Sequence, residues 1–121
     1  MKCIIVASPD KISIKRFIQF LRKYFSDFMI GEMHSLMSME SINLYLEDFF
    51  NKYSTGIISY YAKRAVNINP ITILPIKIQE VADYLIWFDL YAIEPKILKR
   101  SGDHLKGVLM DWKRLIDKIS H

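Results

Sequence analysis

Residues 2–7 read KCIIVA, and after Lys2 every position is apolar. A strand with one face in water alternates apolar and polar residues; a run that is apolar throughout needs cover on both faces. Two further short runs, residues 27–33 (DFMIGEM, with Gly31 inside it) and residues 56–61 (GIISYY), are largely apolar and read as strands of the same sheet. Between them the apolar positions fall three and four apart. Ile14, Phe17, Ile18, Leu21, Tyr24 and Phe25 form one such stripe, and Ile42, Tyr45, Leu46, Phe49 and Phe50 form another. Doubly buried strands alternating with amphipathic helices predict an α/β fold, a parallel sheet with right-handed crossovers and helices on both faces.

The local signals agree. Pro9-Asp10 ends the first run, and Asp10 is placed to cap a helix over residues 11–25. Ser38 can cap the second helix, with Glu40 in its first turn where the helix dipole favours an anion. Residues 71–76 (ITILPI) form a fourth apolar run, in which Pro75 removes one ladder donor and so demands an edge or the strand's end. Beyond it two readings stay open. Ile78, Val81, Leu85 and Phe88 predict one helix over about residues 78–93, or a helix ending near Phe88 followed by a fifth strand at residues 90–93 (LYAI). Leu105, Val108, Leu109, Trp112, Leu115, Ile116 and Ile119 predict a final helix, capped by Ser101-Gly102-Asp103.

The expected architecture is therefore a single domain over residues 1–121, with a four- or five-stranded mostly parallel sheet. The link at residues 62–69 is short for a parallel crossover and suits an antiparallel hairpin better. This keeps open an α+β ferredoxin-like core with a C-terminal helical extension.

Composition narrows the function classes. The 121 residues are 51% hydrophobic and 25% charged, too apolar for a disordered segment, and one Cys excludes a disulfide framework. No apolar run approaches the roughly 20 residues of a membrane helix, and the N-terminus lacks a secretory signal, so a cytoplasmic location and no membrane association are expected. The net charge is +4. Residues 1–60 hold seven basic and six acidic side chains and residues 61–121 hold ten and seven, with Lys96, Lys99, Arg100 and Lys106 close in sequence. Such an edge attracts nucleic acid or acidic partners.

No phosphate loop, CxxC, HxxxH or GxSxG occurs, so no cofactor, metal site or catalytic residue is assigned and a non-enzymatic role is expected. Cys3 reads as a small buried hydrophobe, and His34 and His104 lack partner ligands in sequence. Trp87 and Trp112 fall on helical stripes and read as core. Tyr60 and Tyr61, adjacent at a strand end and followed by Lys63 and Arg64, either divide between core and rim or form a stacking platform.

The element order, IGEM at residues 30–33 and YAIEPK at residues 91–96 resemble a response-regulator receiver domain. Ala7-Ser8 stand where that family has its acidic pair, residues 59–61 (SYY) offer no phosphoryl acceptor, and Glu94 precedes Pro95 where a lysine belongs. The resemblance thus implies a pseudo-receiver, a regulatory module that binds a protein partner across the face that carries Tyr91 and Lys96; Tyr60 and Tyr61, as a protein hot spot, complete the expected partner-binding residues. Residues 2–35, including Phe20-Leu21 and FMIGEMHS at residues 28–35, also resemble the small ferredoxin-like protein that partners the CRISPR spacer integrase. Ala7 replaces that family's acidic residue. The resemblance implies a scaffold, dimeric in that family, that holds duplex DNA by its backbone through Lys11, Lys15, Arg16, Lys63 and Arg64.

Overall fold

The computed structural model describes residues 2–63, 74–91 and 93–120. They form an α/β domain with a six-stranded mixed sheet. In chain order the elements are β1 (Lys2–Ser8), α1 (Lys11–Arg22), β2 (Met29–His34), α2 (Met39–Lys52), β3 (Thr55–Tyr61), α3 (Ile76–Val81), β4 (Tyr84–Trp87), β5 (Lys96–Ser101), β6 (His104–Val108) and α4 (Trp112–Ser120). The sheet order is β2-β3-β1-β4-β5-β6. β1 lies parallel to β3 and β4, and β2 parallel to β3, whereas β4–β5 and β5–β6 are antiparallel. Because β3 separates β2 from β1, the order differs from the flavodoxin-like one, in which β1 separates β2 from β3.

The pleat of β1 explains its uniformly apolar sequence. Ile4 and Val6 pack with Ile14, Phe17 and Leu21 of α1 and with Leu115, Ile116 and Ile119 of α4. Cys3, Ile5 and Ala7 face the other way, into a core with Ile42, Leu46 and Phe49 of α2 and Ile78 of α3. Both faces of the strand are therefore dry, as expected from residues 2–7. Asp10 caps α1 by accepting the Ile12 N–H at 3.1 Å, and Ser38 caps α2 through the Ser41 N–H at 3.0 Å.

The second half of the chain departs from expectation. One helix over residues 78–93 does not form: α3 is six residues long, and the strand that follows is Tyr84–Trp87, not residues 90–93. Leu90 and Tyr91 lie in a turn. The helical spacing at Ile78, Val81, Leu85 and Phe88 runs across two elements that abut. Asp83 ends the helix, its carboxylate accepting the Cys3 N–H at 2.8 Å while its own N–H donates to the Cys3 carbonyl at 2.9 Å. Pairing with β1 then buries all four residues of β4, a gain that outweighs intrinsic helix preference.

Residues 105–119 likewise do not form one helix. Ser101-Gly102-Asp103 is no cap; Ser101 pairs with His104 across a two-residue hairpin turn in which Gly102 has φ 62°. Gly107, a poor helix former, lies inside the resulting strand. The expected four or five mostly parallel strands are thus corrected to six in a mixed sheet. The ferredoxin-like alternative fails because residues 77–121, its helical extension, supply three strands. Whether residues 70–74 pair with residues 56–61 lies outside the described residues, apart from Leu74, which is in a bend.

The bare backbone of β3 at Gly56 is a packing requirement. A Cβ there would lie 2.4 Å from Phe49 Cε1 and 2.9 Å from Phe49 Cζ. The Phe49 ring is itself wedged between Tyr45, Phe50 and Tyr53. Gly56→Ala is therefore expected to destabilise the domain by about 1–3 kcal/mol, read as a lower urea midpoint at unchanged slope. An unshifted midpoint would show that α2 can retreat from β3.

Candidate functional site

α1 follows the C-terminal end of β1 over one face of the sheet, and α3, the next described helix after β3, packs on the other. Where neighbouring strands send their connections to opposite faces, a crevice opens beyond the strand ends, the usual ligand position in open α/β sheets. Here Ser8 of β1 pairs with Tyr61 of β3, and the Ser8 carbonyl accepts the Ala62 N–H at 2.9 Å. The buried Ser8 hydroxyl accepts the Asp10 N–H at 2.9 Å, fixing the turn into α1.

A groove of about 760 Å³ runs from this end along the α1 side of the sheet, with Lys11, Lys15 and Arg22 from α1, Glu32 and His34 from β2, and Tyr61 and Lys63 from the end of β3 and just beyond it. Helical phase explains the first three: positions 11, 15 and 22 fall within about 40° of one another at 100° per residue. Lys11 Nζ stands over the Tyr61 ring, 4.8 Å from its centroid, a cation–π contact. The Lys63 N–H donates to Ser35 Oγ at 3.1 Å, tying the segment after β3 to the one after β2. His34 Nδ1 accepts the Leu36 N–H at 3.2 Å, which in the neutral ring leaves the proton on Nε2. Among the described residues the one ion pair is Lys96 with Asp89, at 3.4 Å. Lys11, Lys15, Arg22 and Lys63 therefore bring net positive charge to the groove, with Glu32 as its one carboxylate.

A second cavity of about 760 Å³ lies across α1. Arg16 lines it with Ile12, Phe17, Phe88, Tyr91 and Trp112. α1 is the wall between the two spaces, which separates Arg16 from Lys11 and Lys15.

The expected site residues are thus divided. Lys11, Lys15, Lys63 and Tyr61 meet in one groove; Arg16 opens on the other cavity, and Arg64 lies outside the described residues. Of the four partner-binding candidates, Tyr60 is 4% exposed, in the α2-side core, and burial raises its hydroxyl pKa. Tyr61 lies half-buried beneath Lys11. Tyr91 is 82% exposed, with φ 60°, and Lys96 is held by Asp89 at the start of β5. These four do not share a surface. The two tyrosines divide between core and rim.

Arg22 and His34 also line the groove; the sequence does not single out Arg22 and offers His34 only as a histidine without partner ligands. The 11/15/22 phase was available for Arg22; nothing local signals His34. Cys3 is an unreactive core thiol, pushed up to about 12 by burial and, next, by the Asp83 carboxylate. Among the described residues no three His, Cys, Asp or Glu side chains gather as metal ligands would, and no helix is long and apolar enough to cross a membrane. Comparison with known proteins finds no matching family model, curated protein or solved structure.

Proposed function

We propose that this protein is a non-catalytic nucleic-acid-binding module that holds duplex by its phosphate backbone in the groove beside α1. The observation that carries this reading is the convergence of Lys11, Lys15 and Lys63 around Tyr61, with no carboxylate pairing any of them among the described residues. Cations gathered and left unneutralised along one groove favour an extended anion, because each phosphate they contact releases condensed counterions. Backbone contacts of this kind position a duplex without reading its sequence. The reading is preferred over a protein-docking module of pseudo-receiver type because the residues that would carry such docking are scattered, one of them in the core.

The test is a salt titration. Anisotropy of a labelled duplex should show binding at low salt, with log K falling against log salt at a slope of about −2.7 for three phosphate contacts. Binding should be indifferent to sequence. A flat salt response, or no binding at low salt, would remove the proposal. Tight binding of a mononucleotide with no added gain from duplex would replace it with a small-ligand site.

A further inference from the structure

The β5–β6 hairpin carries Lys96, Lys99, Arg100 and Lys106, and the groove uses none of them. Two are already engaged. Lys96 pairs with Asp89. Arg100 closes the C-terminal end of α3, donating from Nε to the Ala82 carbonyl at 2.8 Å and from its terminal nitrogen to the Gln79 carbonyl. Lys99 and Lys106 remain, and the strand register sets them directly opposite each other. Like charges in that position repel, and no described carboxylate pairs with either.

The strand that carries Lys106 is also an outer edge of the sheet. The Arg100 N–H donates to the Asp83 carbonyl at 2.9 Å, toward β4. In an antiparallel ladder the residue opposite therefore turns its N–H and C=O away from β5, so Leu105, and by alternation Gly107, present theirs outward. No described strand takes them up. The other edge of the sheet is treated differently: the Glu32 N–H of β2 is occupied by Tyr45 Oη at 2.9 Å. At Gly107 an added Cβ would meet nothing within 4 Å, so the sheet face beside this stretch of the edge is uncovered as well.

We propose that β6 is a docking edge for an acidic extended segment of a protein partner, which adds a seventh strand on Leu105 and Gly107 and sets a carboxylate beside Lys106 and Lys99. Main-chain bonds to the edge supply affinity, and the lysine pair selects the charge of the guest. A second copy of this chain is the poorer guest, because antiparallel pairing of two β6 strands brings Lys106 toward its own counterpart.

The test uses the full chain and two labelled synthetic peptides, one alternating Glu with Val and one alternating Lys with Val. The Glu peptide should bind saturably and slow amide exchange at Leu105 and Gly107; the Lys peptide should not bind. Gly107→Pro removes an outward N–H without touching a β5–β6 bond and should weaken the Glu peptide roughly tenfold or more. Lys106→Glu, which leaves the backbone alone and decides the matter if the proline variant fails to fold, should weaken it by a similar factor and admit the Lys peptide. Equal binding of the two peptides, undiminished binding in Lys106→Glu, or protection at other amides would overturn the proposal. So would displacement of the Glu peptide by duplex in a Lys11→Glu variant, since that assigns the hairpin lysines to phosphate.

Discussion

Phe17→Ala is expected to lower the free energy of unfolding by about 3–5 kcal/mol. Phe17 is fully buried at the joint between α1, the end of β4 and α4. Its ring meets Trp112 edge-on at 5.1 Å and 89°, Phe88 at 5.3 Å and 63°, and Phe20 at 5.7 Å. Truncation removes the transfer energy of the ring and leaves a cavity that Phe20 of α1, Phe88 just past β4 and Trp112 of α4 cannot fill together. Aromatic pairs of this geometry add roughly 0.5–1.5 kcal/mol each beyond burial. Domains of this size hold about 5–15 kcal/mol in all, so the variant should be near its folding limit at 37 °C. Urea unfolding followed by Trp fluorescence reads the change, and Phe20→Ala, at a half-buried position, should cost less. A loss under about 1 kcal/mol would mean that α4 is not docked against α1 as described.

The same cluster shows why the two halves of the chain differ in legibility. β2, an edge strand buried only at Gly31 and Met33, lacks the two-sided cover expected of its run. But β1, α1, α2 and β3 each stand on one periodicity with its own cap or breaker, and pairs such as Asp10 with the Ile12 N–H are local. They can be read without knowing the partner. β4 cannot, because Tyr84–Trp87 owes its strand form to pairing with Ile4–Ala7, some eighty positions away. In β6 the spacing of Leu105 and Val108 mimics a helix, and α4 then supplies a true helical stripe, so two elements read as one. A two-residue Gly-Asp turn between KILKRS and HLKGV was the available hairpin signal. For the site, residue types were legible and their grouping was only partly so. The phase of α1 separates Arg16 from Lys11 and Lys15 by arithmetic alone. That Lys63 and Tyr61 join them follows from the placement of β3 next to β1, a matter of sheet order that no local pattern encodes.

Replacing Lys11 and Lys15 together by Glu is expected to weaken duplex binding by about two orders of magnitude at 50 mM salt. The figure follows from counterion release. Removing two of three phosphate contacts shallows the slope of log K against log salt from about −2.7 to about −0.9, and the lost 1.8 powers of a 0.05 M salt activity amount to a factor of about 200. The fold should not suffer. Both lysines are exposed on α1, and Lys11 is its first residue, where a carboxylate is favoured by the helix dipole by about 0.3–1 kcal/mol. That gain offsets the loss of the cation–π contact with Tyr61, about 0.5–1 kcal/mol at an exposed site. Binding and stability therefore move apart, which a merely misfolded variant would not show. Arg16→Glu is the matched control, one charge reversed on the same helix but facing the other cavity. It should leave the slope near its original value. If Arg16→Glu alone flattens the salt response as much as Lys15→Glu alone, the attraction belongs to the net charge of the whole domain and the groove has no special part in it.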